Sequence, residues 1–329
     1  MSFVSIERLT VAFDGTQVVH GIDLQIERGE ALGLVGESGC GKSVTWLAAL
    51  GLLPGKARVG GSVKIDGQEL IGASRKQAEQ VRGKRIAMIF QDPSSSLNPV
   101  HRVGRQIMES LSLHRGLKGQ AAKTEAIRLM DMVGIPSATT RVDLYPHEFS
   151  GGQCQRIMIA MALAGEPDLL IADEPTTALD VTIQAQILDL LASIRAQTGM
   201  AMVLISHDLG AVSAVCDRAA VMYAGRVVEM NRTAALFSAP RHPYTRGLFD
   251  AIPQIDGDRG RLNPIGGTVP DPQALPMGCA FSPRCASASA RCGLHIPQLA
   301  MTGATGLLAC FHPVGRAASP VVTKELVLA

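Results

Sequence analysis

The sequence predicts an α/β fold, and two patterns carry that prediction. Short apolar runs recur along the chain, each with the length expected of a strand that is buried on both faces; they cover residues 31–35, 86–90, 169–172, 202–205 and 219–222. Helical patterns lie between these runs, most clearly over 181–195, where apolar residues recur at helical spacing behind a capping Asp180. Strands that alternate with helices are typical of a sheet with helices packed against it.

Three further segments differ from this pattern. Residues 4–13 and 18–27 alternate apolar and polar side chains between glycine-containing turns, which predicts an antiparallel β subdomain. Over about 92–160 helical patterns replace the strand signal, which predicts an inserted helical subdomain. Residues 253–283 carry six prolines and cysteines then recur, which indicates an appendage of irregular structure. We therefore predict a main domain at 1–235 and a C-terminal extension at 236–329.

The composition excludes several classes of protein. Hydrophobic residues make up 47% of the 329 residues and charged residues 18%, so the chain can bury a core and is not disordered throughout. Lys and Arg number 31 against 29 Asp and Glu, a balance that does not favour a nucleic-acid partner. The longest uncharged apolar stretches are far shorter than the roughly 20 residues of a membrane-spanning helix. No secretion-signal pattern opens the sequence, so we expect an intracellular protein.

A glycine-rich loop follows the first buried run and is the strongest chemical signal in the chain. Residues 36–43 read GESGCGKS, which fits the phosphate-binding pattern G-x-x-x-x-G-K-[ST]. In such a loop, backbone N–H groups and the N-terminus of the next helix surround phosphate oxygens. Lys42 is then expected to reach the β- and γ-phosphates, and Ser43 to bind Mg²⁺. The candidate nucleotide-binding residues of this segment are Gly36, Glu37, Ser38, Gly39, Cys40, Gly41, Lys42, Ser43 and Val44.

Polar residues stand at the ends of three other predicted strands, where ligands gather in α/β sheets. Asp173 is a candidate Mg²⁺ ligand and the adjacent Glu174 a candidate general base. Gln91 and His207 each follow a further strand. A second glycine-rich helix N-terminus, and hence a second candidate anion site, comprises Ser150, Gly151, Gly152 and Gln153. Taken singly, each of these features is also compatible with an ordinary turn or helix cap.

Together and in this order, the motifs resemble those of the ATP-binding cassette (ABC) family of transporter ATPases over about residues 3–235. The resemblance implies a P-loop NTPase core of ABC type that binds ATP and Mg²⁺. It implies that Gln91 also binds Mg²⁺, that the signature FSGGQ at 149–153 contacts nucleotide bound to a second subunit, and that His207 contacts the γ-phosphate. Phe13 matches the aromatic residue that stacks on adenine, or is a core strand residue. The D-loop matches Ala178-Leu179-Asp180.

Several stretches resemble, more narrowly, the peptide/nickel importer branch of that family. They include FQDPSSSLNP at 90–99, HPYTRGL at 242–248 and PMGCAFSPRC at 276–285. The resemblance implies an ATPase, similar to the first of two paired ATPases, that energises import of di- or oligopeptides; nickel or another small solute is the alternative. It also implies two transmembrane permease subunits, a second and non-identical ATPase, and an extracytoplasmic solute-binding protein. The expected location is peripheral, on the cytoplasmic face of the inner membrane.

Two other functions remain as alternatives. A soluble ABC ATPase that acts on nucleic acid or ribosomes predicts tandem cassettes or a long coiled-coil insertion, and neither is visible. A regulatory nucleotide-binding module without turnover is disfavoured because Glu174 and His207 are both present.

Two thiols depart from the family pattern, namely Cys40 within the loop and Cys154 after the signature.

Four cysteines of the extension are expected to converge on one metal centre. Their spacing is C-x5-C-x6-C-x17-C, unlike the closely spaced cysteine pairs of ordinary zinc sites. Four thiolates suit an iron–sulfur cluster as well as zinc, and four unligated thiols are the remaining possibility. The resemblance favours a [4Fe–4S] cluster with a structural role, because such clusters occur in some members of the branch. The candidate ligands are Cys279, Cys285, Cys292 and Cys310.

Overall fold

The computed structural model describes residues 2–92, 96–177, 179–252, 264–303 and 305–315, and it confirms the α/β prediction. The strands are β1 (Val4–Phe13), β2 (Thr16–Ile26), β3 (Ala31–Val35), β4 (Ala57–Ile65), β5 (Gln68–Glu69), β6 (Ile86–Ile89), β7 (Leu169–Asp173), β8 (Ala201–Ser206), β9 (Arg218–Tyr223), β10 (Arg226–Arg232), β11 (Ala300–Thr302) and β12 (Gly306–Leu308). The α-helices are α1 (Lys42–Ala49), α2 (Arg75–Val81), α3 (Val103–Arg115), α4 (Gly119–Met132), α5 (Ala138–Arg141), α6 (Gly151–Leu163), α7 (Val181–Thr198), α8 (Leu209–Val215), α9 (Thr233–Ser238), α10 (Pro243–Asp250) and α11 (Ala290–Leu294).

The chain divides into two compact units. The first comprises Met1–Gln25, Leu32–Ile71 and Ser206–Ala329, and the second comprises Ile26–Ala31 and Gly72–Ile205. Residues on both sides of the predicted boundary at 235 therefore belong to the first unit. The division into domains at 1–235 and 236–329 stays a prediction.

An antiparallel sheet of order β2-β1-β4-β5 lies in the first unit, as the alternating N-terminal pattern predicts. β1 and β4 pair from Val4 opposite Ile65 to Phe13 opposite Ala57. The register shifts between Glu7 and Thr10, where a β-bulge interrupts the ladder.

A second group of strands in the first unit has the order β11-β12-β10-β9-β3. β3 runs parallel to β9, and β9, β10, β12 and β11 pair antiparallel in turn. The described residues of the C-terminal extension are largely irregular, as expected, with short helices, and they also add two short strands to the edge of a sheet. This contribution follows from pairing of Leu308 with Glu229, which local patterning does not reveal.

The second unit contains the parallel strands β8, β7 and β6, in that order. All five residues of β7 are buried, as expected for an apolar run covered on both faces. The helices α3, α4, α5 and α6 occupy most of the predicted helical insertion, and α3 packs against α4 and α6. α7 begins where predicted, because Asp180 accepts a hydrogen bond from the N–H of Ile183 (2.9 Å). It continues to Thr198 and is ended by left-handed Gly199.

Candidate functional site

The predicted phosphate loop lies in the first unit, between β3 and α1. Three of its glycines have positive φ, namely Gly36 (153°), Gly39 (79°) and Gly41 (98°), a backbone range that glycine adopts most readily. At Gly36 a Cβ atom would also lie 2.3 Å from the carbonyl oxygen of Met222. The loop therefore turns through positions that require glycine.

Lys42 begins α1, and its side chain turns back into the loop. Its Nζ donates hydrogen bonds to the carbonyl oxygens of Gly36 (2.8 Å) and Glu37 (3.0 Å). These bonds stabilise an ammonium group that is almost fully buried. A glycine loop that encloses a lysine ahead of a helix N-terminus has the donors that phosphate binding needs, so these residues fit ATP.

The remaining loop residues differ in exposure. Ser38 and Gly39 are exposed, and Ser43 and Val44 lie half-buried in the first turn of α1. Cys40 is buried, with its Sγ 3.8 Å from Nζ of Lys42. Burial raises the pKa of this thiol, so it stays protonated at neutral pH and fills space as a small apolar group.

The candidate base Glu174 lies in the second unit, directly after the buried Asp173 at the end of β7. Its Oε2 accepts hydrogen bonds from Nε2 of Gln91 (3.1 Å) and Oγ1 of Thr177 (2.9 Å). Gln91 follows β6, which runs parallel to β7. The structure therefore brings Gln91 and Glu174 together; the sequence placed each of them at a strand end but did not predict that they meet. Thr177 is a partner that strand-end reasoning does not identify.

The signature motif forms the N-terminus of α6 in the second unit. Ser150 is its N-cap: its hydroxyl accepts from the N–H of Gln153 (3.4 Å), and the side chain of Gln153 accepts from the N–H of Ser150 (3.2 Å). Gln153 Oε1 also accepts from Nη2 of Arg141 (3.0 Å). Gly151 and Gly152 form the first turn, and a Cβ at Gly152 would lie 2.7 Å from a methyl carbon of Ile183. The capping box and this close approach explain the residue types of the motif structurally.

Cys154, in the same helix, makes a contact that stabilises the local structure. It is buried, and its thiol donates to the carbonyl oxygen of Pro146 (3.4 Å). Burial raises the pKa of the thiol. The side chain thus ties α6 to the turn that precedes it.

The remaining candidates are His207, Phe13 and the predicted D-loop. His207 is exposed and directly follows β8, and the next residue, Asp208, caps α8. Phe13 ends β1 and is only partly buried. Of the predicted D-loop, Ala178 lies outside the described residues, whereas Asp180 caps α7. The phosphate loop and His207 belong to the first unit, and the signature, Gln91, Asp173 and Glu174 belong to the second.

Two residues of the C-terminal extension contact the phosphate loop, and sequence reasoning did not identify them. Tyr244 accepts a hydrogen bond from the N–H of Glu37, and Arg284 pairs with the Glu37 carboxylate. Both lie in stretches that carry the family resemblance, HPYTRGL and PMGCAFSPRC. That resemblance was the available signal, but it assigned neither residue a role.

The four cysteines of the extension line one small cavity in the first unit, together with His312. The space open to the centre of a water molecule is about 20 Å³, roughly enough for one water. Burial, with added repulsion from the other thiols as they ionise, raises the pKa of Cys310 to about 11. The thiols therefore lie near one another, as the convergence prediction requires.

These thiols are nevertheless not arranged as a ligand set. Within the described parts of the chain, no group of three or more His, Cys, Asp or Glu side chains is placed to hold a metal ion. The donor chemistry fits a metal centre, but the side-chain geometry does not.

Among the described helices, none is long and apolar enough to cross a membrane.

Two protein families match separate segments of this chain. Residues 19–177 match the ABC transporter family, and residues 228–292 match the oligopeptide/dipeptide transporter C-terminal region. The chain is 47% identical over 296 residues to the oligopeptide transport ATP-binding protein OppD of Salmonella typhimurium, covering 90% of this chain and 88% of that protein. It is 44% identical over 327 residues to the dipeptide transport ATP-binding protein DppD of Escherichia coli, covering 98% of this chain and 100% of that protein.

Solved structures show the same similarity in three dimensions. One is cbiO1 from Clostridium perfringens, part of the ABC transporter complex cbiONQ, with a TM-score of 0.64, 29% identity, and coverage of 72% of this chain and 90% of that chain. Another is the ATP-binding cassette MJ0796 in a dimeric post-hydrolysis state bound to ADP and Pi, with a TM-score of 0.62, 25% identity, and coverage of 70% and 98%. The chain therefore belongs to the ABC transporter family of ATPases, in the branch that carries the oligopeptide/dipeptide transporter C-terminal region.

Proposed function

We propose that this ATPase energises the import of di- or oligopeptides through a separate membrane permease. The match of residues 228–292 to the oligopeptide/dipeptide transporter C-terminal region carries the proposal. Relatives that match over nearly their whole length are named for oligopeptide and dipeptide transport. Import of nickel or another small solute is the alternative.

The proposed assembly contains two permease subunits, a second ABC ATPase and an extracytoplasmic solute-binding protein. In it the chain lies at the cytoplasmic face of the membrane. The translocation path is proposed to lie in the permease subunits, and no helix among the described residues is long and apolar enough to cross a bilayer. The two ATPases are proposed to be non-identical.

Within the ATPase we assign roles residue by residue. Lys42 and the loop at 36–43 bind the β- and γ-phosphates, and Phe13 stacks on adenine. Ser43, Gln91 and Asp173 would hold Mg²⁺, which would offset negative charge on the phosphates; the bond that hydrolysis breaks joins the β- and γ-phosphates of ATP. Glu174 takes a proton from the attacking water, and its hydrogen bonds from Gln91 and Thr177 orient the carboxylate. Contacts to the γ-phosphate come from His207 and, on a second cassette, from Ser150, Gly151, Gly152 and Gln153.

Transport by the assembled complex tests the proposed cargo. The complex is reconstituted in proteoliposomes with its solute-binding protein, and ATP-dependent uptake of labelled dipeptides, oligopeptides and Ni²⁺ is compared. We expect peptide uptake that a Lys42→Ala variant abolishes, since this change removes the cation that faces the phosphates. Uptake of Ni²⁺ without uptake of peptides would replace the proposed cargo by the alternative.

We further propose that the cysteine cavity takes up a [4Fe–4S] cluster or zinc. Support comes from the four thiols that line one cavity. Burial raises the pKa of Cys310 most and the neighbouring thiols raise it further, and a bound cation would favour the thiolate form of all four. Binding would have to draw the thiols closer together than they lie here. Iron and zinc analysis with visible absorption on anaerobically purified protein distinguishes the two metals. Less than one equivalent of either, with four titratable thiols, contradicts the proposal.

A further inference from the structure

The C-terminal extension contacts the phosphate loop through a bidentate ion pair. Nη1 and Nη2 of Arg284 donate to the two carboxylate oxygens of Glu37 at 2.8 and 3.0 Å. The Arg284 side chain is only 4% exposed, whereas that of Glu37 is 32% exposed. Two parallel charge-assisted hydrogen bonds fix both the distance and the plane of the carboxylate. Glu37 is the second residue of the glycine-rich loop.

Arg284 is itself held in place by several groups. Its Nε donates to the carbonyl oxygen of Gly266 (2.8 Å), and its Nη2 donates to that of Ile265 (3.3 Å). Nη1 also donates to the Tyr223 hydroxyl (3.4 Å). With so many donors already used, the guanidinium has little freedom to follow the carboxylate if the loop moves. Arg284 therefore provides a fixed point for Glu37.

Tyr244 holds the backbone of the same loop residue. Its hydroxyl oxygen accepts the N–H of Glu37 at 2.9 Å, and the tyrosine is fully buried. Its ring packs against those of Tyr223 and Phe281, with centroids 4.6 and 5.4 Å away. The rigid aromatic cluster leaves the hydroxyl in one place. Glu37 is thus held through both its side chain and its main chain.

The third group of Glu37, its carbonyl oxygen, accepts from Nζ of Lys42 (3.0 Å). A continuous chain of contacts therefore connects the extension to the ammonium proposed to bind phosphate. We propose that Arg284 and Tyr244 are positioning residues that preorganise the phosphate loop, so that nucleotide affinity depends on the C-terminal extension. The proposal rests on the proposed role of residues 36–43 in binding nucleotide. A loop that is already ordered binds nucleotide more tightly, because a loop that becomes ordered only on binding loses conformational entropy at that step.

Nucleotide affinity of the full chain tests this proposal directly. ADP binding is measured by isothermal titration calorimetry for Arg284→Gln, Arg284→Lys and Tyr244→Phe, with circular dichroism to show that each variant is folded. We expect Kd to rise by about tenfold for Arg284→Gln, the scale of a lost hydrogen bond to a charged group. Arg284→Lys should not restore affinity, because an ammonium cannot reproduce the guanidinium fork. Tyr244→Phe keeps the ring and should also weaken binding.

A double-mutant cycle separates positioning from general destabilisation. Once Arg284→Gln has removed the ion pair, adding Glu37→Gln should raise Kd little further, since both changes remove the same contact. In the assembled transporter, KM for ATP should rise more than kcat falls. Arg246→Gln is the matched control: it breaks an ion pair with Asp250 in α10 (3.1 Å) and should leave Kd unchanged.

The possible failures are distinguishable. If Lys42→Ala does not weaken ADP binding, the proposed role of the loop is wrong. If Lys42→Ala weakens binding but folded Arg284→Gln and Tyr244→Phe bind ADP like the unaltered chain, the loop assignment stands and the positioning role is refuted. A lower melting temperature with unchanged Kd likewise refutes it, because the two residues would then serve only to attach the extension.

Discussion

Replacing Glu174 by Gln should slow hydrolysis severely while leaving nucleotide binding intact. In the second unit, Oε2 of Glu174 accepts hydrogen bonds from Gln91 (3.1 Å) and Thr177 (2.9 Å). A glutamine at this position has almost the same volume and keeps one carbonyl oxygen that can accept from both donors. The substitution therefore removes the charge that takes the proton, and it preserves the local arrangement.

The backbone supports the same expectation. Glu174 has a φ of 47°, and its N–H donates to the carbonyl oxygen of Ile205 (2.9 Å). Gln imposes the same backbone preferences as Glu there, so we expect no added strain. A positioned general base contributes about 10²–10⁴ in rate, which corresponds to about 3–5 kcal/mol in the activation free energy. We expect kcat to fall by at least about 100-fold, with ADP affinity changed by less than about twofold.

The assay compares kcat of the assembled transporter with ADP binding by the full chain. Thr177→Val serves as the control, because it removes one hydrogen bond to the carboxylate but keeps the base, and kcat should fall by less than about tenfold. If Glu174→Gln keeps kcat within about threefold of the unaltered transporter, the assignment of the base is refuted. Closed dimers that accumulate with bound ATP in this variant would support the assignment.

Three further predictions follow from other sites. Burial lowers the pKa of His242 to about 4. Because the unfolded chain takes up this proton at a higher pH than the folded one, the free energy of unfolding should fall by up to about 3 kcal/mol as pH drops from 6.5 to 4. In denaturant unfolding, His242→Asn should make the free energy of unfolding depend less on pH. Gly36→Ala should weaken ADP binding, measured by calorimetry, because its Cβ would meet the Met222 carbonyl. The chain without its partners should be mostly monomeric and hydrolyse ATP slowly, since the proposed site needs a second cassette; light scattering and phosphate release measure both, and full-rate, substrate-stimulated hydrolysis would contradict this.

Much of the fold was predictable because its signals are local. The apolar runs that became β3, β7 and β8 are buried throughout, and such runs identify strands that are covered on both faces. The Asp180 cap predicted the start of α7. The two strands of the extension were not predictable, since β11 and β12 have three residues each and are stabilised by pairing with β10.

The candidate site shows the same division. The pattern at 36–43 predicted a loop between a strand and a helix, and Gln91 and Glu174 were each predicted at a strand end. That these two side chains meet is decided by the pairing of β6 with β7. The four cysteines were also predicted to converge, and they line one cavity. Spacing does not reveal how the thiols are oriented, and in the described residues they are not placed as a ligand set.

The sequence by itself therefore determined the α/β fold, the phosphate loop and the family, because periodicity and motif order are properties of short segments. Only the tertiary structure decided what holds that loop. The partners of Glu37, Tyr244 and Arg284, lie 207 and 247 residues further along the chain. Contacts over such separations depend on the path of the whole intervening chain and on how aromatic rings and a guanidinium pack against it. No local pattern encodes that path, so the contacts between the extension and the phosphate loop appear only once the chain is folded.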